Sequence, residues 1–380
     1  MEGDEPRCGV IESIEKHIEL LKPILPKHAR QAIICIGEYP AKILLREPTV
    51  AKNNGTLPIF IEKSSEDLAK WSHSPPEPNN VLGLDTDNYT HFWFHVLPHV
   101  TKDCAFISRL KSKLTDKVYD AIIVSSIWDG VGSALLPTLI SQLKGWDINS
   151  VALAVLPSKV QPSDVHFNAL ASISMCVSKD TATVLLADRD HLESYVGVDR
   201  EGSTMKGNDI VDYLLKLMSA KETLVRELTE MSRSFKVKMY TILSATGASL
   251  KIYGSLENIL STALFKPFLT FDLASVSVLY VLLRMPLSLK DKLPKGKIEL
   301  AIADWFKERA SLKSIHVSEP IYVEGVINRI DVVMFVGGFD LTEILTALEK
   351  KARTIKSQTV KQGFIKEDEW QAIVKIWEKD

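Results

Sequence analysis

Asp129-Gly130-Val131-Gly132-Ser133 are the residues of this chain best placed to do chemistry. They follow a short β-branched apolar run, Ala121-Ile122-Ile123-Val124, and precede apolar positions 135, 136, 139, 140 and 143, the spacing of one helix face. A buried strand, a glycine turn and a helix N-terminus aim backbone N–H groups at one point, a geometry that holds a phosphate. The side chains of the turn do not suit that task. Asp129 brings negative charge to the place an anion would occupy, and Trp128 and Val131 add bulk without a hydroxyl. A glycine turn that only lets a helix pack tightly explains the same pattern.

Two other patterns carry less. GVGSAL supplies the first two glycines of a G-x-G-x-x-G dinucleotide loop, but no acid ends the next strand to take a ribose hydroxyl. His91, His95 and His99 recur every four residues in HFWFHVLPH, so two imidazoles at i and i+4 could share a metal. No Cys or acid completes a ligand set nearby, and Phe92, Trp93 and Phe94 fit a packing helix end. No G-x-x-x-x-G-K-[ST] loop and no Ser/His/Asp or Cys/His set stands out.

The elements that must position these residues alternate along the chain. An amphipathic helix is expected over 10–21, closed by Pro23 and Pro26, then a strand at Ala32–Ile36 ending at Gly37. A helix follows from about Ala41, a strand from Leu57, and a proline-rich loop at 72–80. Further strands are read at 119–125, 150–156 and 181–187, with helices between them. Strand–helix alternation predicts a mostly parallel sheet covered on both faces. Asn208 is a suitable N-cap for a long helix, whose apolar residues between 210 and 231 occupy more than one stripe. Beyond Ser234 come helices at 255–265 and 296–309, strand-like runs at 235–243, 274–284, 315–324 and 328–336, and a final helix at 340–356. Trp370, Ile373, Val374 and Trp377 then fall at i, i+3, i+4 and i+7 of a short amphipathic tail. That tail can contact a partner groove or dock on its own domain.

With 380 residues, two domains with a core each are expected. Lys plus Arg number 46 and Asp plus Glu 48, a balance that argues against a nucleic-acid partner. The four scattered cysteines read as reduced core thiols. The acidic start has no apolar signal core, and the longest apolar run, Leu273–Leu283, is too short to span a bilayer. A cytoplasmic protein without a membrane span is expected.

The order of these pieces resembles the tubulin/FtsZ superfamily. VSSIWDGVGSALLP lies where that family carries a G-G-G-T-G-T-G-A-A-P loop after its fourth strand. SVALAVLPSKV resembles the next strand and its sugar-side loop. DTATVLLADRDHLES resembles the strand ending in N-D-R-L, with Ala187 for Asn and Asp190 for Leu. GNDIVDYLL resembles the start of the central helix, and SEPIYVEGVINRIDVVMFVGGF the last two strands. The resemblance covers about residues 30–340. It implies an α/β protein with a Rossmann-like nucleotide domain at 31–207, a central helix at 208–233 and a smaller α/β domain at 234–339. An N-terminal helical extension, 1–30, and a C-terminal helix and tail, 340–380, flank these.

The same resemblance implies a guanine-nucleotide site with losses. Gly37, Gly130, Gly132 and Ser133 match phosphate-loop positions, and Asp209 matches the acid that reads guanine. The first loop, Gly37-Glu38-Tyr39-Pro40, has one glycine and a carboxylate in place of a glycine run. The sugar-side glutamate falls at Gln161, with Asp164 close by. The family's N-x-D-x-x-D loop, which activates water on a neighbouring subunit's nucleotide, falls on Arg233, Phe235 and Lys238. SRSFKVKMYT holds no acid at all, so no catalytic residue is assigned.

The expected function is a cytoskeletal or division-associated protein acting through protein partners or self-association, with weak or no GTP or GDP binding and no normal hydrolysis. Two alternatives stay open: a self-assembling GTPase with a relocated catalytic acid, and a cleft reused for another ligand, with Asp129, Glu38 and the histidines at 91–99 as candidates.

Overall fold

The structure is a computed structural model that describes residues 31–46, 56–64, 80–84, 90–102, 104–115, 117–178, 182–325, 328–361, 363, 366–368 and 370–371. The expected helix at 10–21, all of the loop at 72–80 but its last residue, and tail residues Ile373, Val374 and Trp377 lie outside the described residues.

The N-terminal half runs β1 (Gln31–Ile36), α1 (Glu38–Arg46), β2 (Thr56–Glu62), β3 (Val81–Gly83), α2 (Trp93–Lys102), α3 (Cys104–Leu114), β4 (Asp120–Ser126), α4 (Gly130–Gly145), β5 (Asn149–Leu156), α5 (Ser163–Val177) and β6 (Val184–Asp188). A short helix α6 (Arg189–Glu193) and the hairpin β7 (Val196–Val198) and β8 (Thr204–Lys206) follow. Next come α7 (Asp209–Ala220), α8 (Leu224–Phe235), β9 (Met239–Ala248), α9 (Leu250–Tyr253), α10 (Leu256–Ala263), β10 (Val278–Pro286), α11 (Lys295–Lys307), β11 (Ser314–Val317), β12 (Ile321–Val323), β13 (Ile330–Gly337) and α12 (Thr342–Lys361).

The strands form one sheet in the order β11-β10-β13-β9-β6-β5-β4-β1-β2-β3, with β12 beside β10. From β3 to β9 every pairing is parallel, and β13 is antiparallel to both its neighbours. Apolar residues alternate across it as the strand period requires. Ile34 and Ile123 face one core, while Ile33 and Ile122 face the other. Each core runs through both halves of the chain: one joins Ile34 to Phe306, the other Ile33 to Phe335. The expectation of one core per domain gives way to one core per sheet face, because β6 and β9 pair and make the sheet continuous.

The expected long helix is two helices, parted at Lys221, which adopts extended backbone. The sequence explains the break. A continuous helix would carry the buried stripe of Leu214 and Met218 onto Lys221 and Glu222 before Val225. Cys35 and Cys176 are buried, and burial pushes the Cys35 thiol up, in keeping with core thiols. Among the described residues no helix is long and apolar enough to cross a membrane.

Parallel β1, β4, β5 and β6 all end at one edge of the sheet. The segments after them, starting at Gly37, Ile127, Pro157 and Arg189, therefore converge there, as ligand-binding loops do in such sheets.

Candidate functional site

At that edge lies a cavity of about 550 Å³, lined by Glu38, Tyr39, Lys42, Glu62, Lys63, Thr90, Trp128, Asp129, Val131 and Arg189. Its size suits a small molecule. The floor is the N-terminus of α4, and there the protein supplies its own anion. Asp129 is the N-cap: its carboxylate accepts from the Gly132 backbone N–H at 2.6 Å and from the Ser126 hydroxyl at 2.6 Å. Burial raises the Asp129 carboxyl to about 6 against these bonds, which favour its charged form. The helix N-terminal dipole that would hold a phosphate thus faces a fixed carboxylate.

The glycines have packing work of their own. A Cβ on Gly130 would overlap the Thr90 carbonyl oxygen, and one on Gly132 the Ser126 carbonyl oxygen. Gly37 has φ +91°, left-handed backbone that suits glycine, and a Cβ there would meet Ser126 Oγ at 2.9 Å and Asp129 Oδ2 at 3.0 Å. Ser133 is fully buried, and its hydroxyl donates to the Asp129 carbonyl at 2.6 Å, back into its own helix.

The residues expected on the sugar and base sides are also engaged within the chain. Gln161 accepts from the Ser158 N–H at 2.7 Å, and Asp164 is paired with His91. Asn208 occupies the N-cap position of α7 without capping it; its side chain instead accepts from the Tyr39 hydroxyl at 2.6 Å. Burial pushes the Tyr39 phenol up, so it stays a donor. Asp209 accepts from the Lys206 N–H at 3.0 Å. It opens on a different depression, with Asp199, Asp212 and Lys216, rather than on the cavity that holds the α4 turn. Gly37, Gly130, Gly132 and Ser133 therefore come together, and Asp209 stands apart from them.

Sequence reasoning missed several residues that shape the cleft. Asn168, fully buried on α5, accepts from the Trp93 N–H at 3.0 Å and donates to the carbonyls of His91 at 2.8 Å and Trp128 at 3.0 Å. It pins the 91–93 segment over the turn. Tyr39 meets Trp128 edge-on at 4.9 Å, and Arg189 lies 5.1 Å above the Trp128 ring while donating to Glu193 at 2.6 Å. Ser126, three residues before Asp129, and Arg189, in the D-R pair that closes β6, were within reach of the sequence. Asn168 lies mid-helix among apolar residues and gave no such signal. The histidines do not gather: His91 pairs with Asp164, His95 is half-buried against Phe92 and Phe94, and His99 is exposed. Burial, with His91 nearby, lowers the His95 imidazole. Among the described residues no group of His, Cys, Asp and Glu is placed to hold a metal.

No protein-family model matches the sequence, and no curated protein does. Solved structures match over nearly the whole chain. CetZ from Methanosaeta thermophila strain DSM 6194 superposes with a TM-score of 0.69 at 12% identity, covering 92% of this chain and 98% of its own. CetZ2 from Haloferax volcanii, described as a GTPγS-bound protofilament, gives 0.65 at 16% identity, covering 87% and 99%. FtsZ from M. jannaschii gives 0.61 at 14%, covering 85% and 92%. Identities this low speak for architecture alone, and on that ground the chain has the fold of the tubulin/FtsZ superfamily.

Proposed function

We infer that this chain is a cytoskeletal or division-associated tubulin/FtsZ-like protein that works through protein contacts, self-association among them. In this reading it binds guanine nucleotide weakly or not at all and does not hydrolyse GTP in the ordinary way. One observation carries the reading: the Asp129 carboxylate sits on the Gly132 N–H, at the helix N-terminus a phosphate would need. A phosphate arriving there must displace a bonded carboxylate and meets like charge while doing so. The segment 232–241, from the end of α8 into β9, supports the same reading, because without an acid it has nothing to polarise an attacking water. Self-association draws support from similar structures described as protofilaments, CetZ2 and the TubZ of Bacillus thuringiensis serovar israelensis.

Freshly purified protein is to be denatured and any released nucleotide identified, alongside steady-state phosphate release from GTP. The reading expects no stoichiometric nucleotide and no release above background. GTP turnover abolished by Asp209→Ala would overturn it.

The cleft itself favours a second reading, in which it serves another ligand. Tyr39 and Trp128 form an aromatic wall among charges of both signs, Glu38, Lys42, Asp129 and Arg189, a lining suited to a mixed-charge aromatic compound. A thermal-shift screen separates the two, since a ligand of the native state raises its stability. A non-nucleotide hit lost on Trp128→Ala supports this second reading, and a guanine-nucleotide hit counts against both.

A further inference from the structure

The C-terminal segment reaches back to the supports of the Asp129 cleft. α12 lies along α5 and buries Leu348 and Ala352. Polar contacts fix its direction. Lys351 Nζ meets His166 Nε2 at 3.1 Å, and the Thr354 hydroxyl donates to Ser163 Oγ at 2.5 Å, so the two helices run antiparallel. Past α12 the chain turns back. Gly363 takes left-handed backbone at φ +72°, and Trp370 returns to α5, where it stacks on Phe167 and is almost fully buried.

Two short routes lead from this segment to the cleft. On the first, Phe167 stands beside Asn168, whose amide holds the Trp93 N–H and the carbonyls of His91 and Trp128. The Phe167 ring also lies 6.3 Å from Phe92 and 6.4 Å from Trp93, so Trp370 extends an aromatic cluster that ends in the segment over the cleft turn. On the second, Lys351 donates to the Lys159 carbonyl. The Lys159 N–H donates to Asp190 at 2.9 Å, beside the Arg189 that covers the Trp128 ring. Trp128 and Arg189 both line the cleft.

His166 suits this arrangement. Burial, with Lys351 nearby, lowers its imidazole to about 4, so at neutral pH it is uncharged and accepts from the Lys351 ammonium. A helix that merely covered α5 would have no use for a chain reversal that sets a large aromatic ring beside Asn168. The hold is also local. Among the described residues past Phe339, the buried ones are Leu348, Ala352 and Trp370, whereas β13 before them is buried throughout. A segment held at few points opens at lower free energy than the sheet it rests on.

We propose that the C-terminal segment, from α12 to Trp370, is a strap that sets the shape of the Asp129 cleft. Docked, it fixes Phe167 and Asn168 on one side and Lys159 and Asp190 on the other. Undocked, it releases the support of the turn that carries Trp128. By linkage, a ligand of the shaped cleft tightens the strap, and whatever draws the strap away weakens that ligand. The strap acts in this way whether or not the cleft takes a nucleotide.

The test is fluorine NMR of the full chain with fluorotryptophan incorporated, each resonance assigned by a single Trp→Phe variant. It needs no ligand. In Trp370→Ala the Trp128 resonance is expected to shift or to broaden through slow exchange, while that of Trp305, which packs on Phe306 in α11, stays in place. Trp370→Phe keeps a ring on Phe167 and should return Trp128 to its wild-type position. Lys351→Ala tests the second route with the tail aromatic intact, and it too should move Trp128. A Trp128 resonance unmoved in both Trp370→Ala and Lys351→Ala overturns the proposal. So does movement of Trp305 together with Trp128, which marks a general loosening of the fold, and so does failure of Trp370→Phe to restore Trp128.

Discussion

Replacing Asp129 with asparagine removes the built-in anion while keeping its shape. The amide oxygen still accepts from the Gly132 N–H, and the Ser126 hydroxyl can turn to accept from the amide nitrogen. What changes is the charge. The Asp129 carboxyl rises from 3.8 to about 6 in the folded chain, chiefly through burial. A raised acid means that the native state holds its proton more tightly than the unfolded state between these values, so wild-type stability falls as pH rises through that window. A rise of about two pKa units at about 1.4 kcal/mol each sets an upper bound of about 3 kcal/mol. Asp129 is half-buried and borders the open cleft, so solvent screening brings the expected effect to about 1–3 kcal/mol. Urea unfolding of both proteins near pH 4 and near pH 7.5 reads it directly, because every other titrating group is shared. The variant should match the wild type in acid and exceed it by about 1–3 kcal/mol at the higher pH. Inorganic phosphate should also raise the variant's melting temperature more than the wild type's. An advantage that stays constant, or shrinks, as pH rises refutes the reasoning, since the cost of the charge would then lie elsewhere.

Asn168→Ala strands one N–H and two carbonyls around the cleft turn and should destabilise by about 3 kcal/mol in urea unfolding. Glu227 titrates the other way: burial works to raise it, but hydrogen bonds from His316, Tyr280 and Thr223 outweigh burial and hold it at about 2. Its stabilisation is therefore complete above about pH 4.5 and lost as pH falls toward 2; Glu227→Gln should flatten the acid limb by about 2 kcal/mol, allowing for its 27% exposure. Arg284→Met leaves the fully buried Asp331 without its ion pair, a loss of about 3–5 kcal/mol in unfolding free energy, part of which Asp331→Asn should restore. Trp370 is 2% exposed and stacks on Phe167 at 5.1 Å, so Trp370→Ala should cost about 3–5 kcal/mol, whereas a tail held only for a partner would lose nothing.

The framework was legible because it rests on periodicity. Apolar β-branched runs located β1, β4 and β5 to within a residue or so, and their alternation with helices implied the mostly parallel sheet. The break at Lys221 could be read from two charged residues falling on a buried stripe, but the extra apolar stripe on each side hid the gap. The continuous sheet was not legible, since the β6–β9 pairing joins residues about fifty positions apart and leaves no mark in either strand. At the site, the sequence marked Asp129 as an obstacle to phosphate. It did not mark the carboxylate's bonds to Gly132 and Ser126, which depend on how the turn closes. Asp209 differs again: its carboxylate accepts from the Lys206 N–H and opens on a neighbouring depression, while Asn208 beside it meets Tyr39 at the cleft, a split between adjacent residues that a local motif does not mark.

Gly130 and Gly132 bear on how such motifs are read. In a phosphate loop, glycine lets the backbone approach the ligand, and loss of the ligand should release those positions to other residues. Here each has a second reason to remain glycine, because a Cβ would strike the backbone of the 90–92 segment or of β4. Packing therefore holds both glycines in place with or without a nucleotide. Trp128, Asp129 and Val131 already carry side chains that line the cleft, Asp129 as the cap of α4 and Val131 largely buried. The residues beside the glycines, more than the glycines themselves, report the chemistry of this turn, and at Asp129 they report an anion that belongs to the chain.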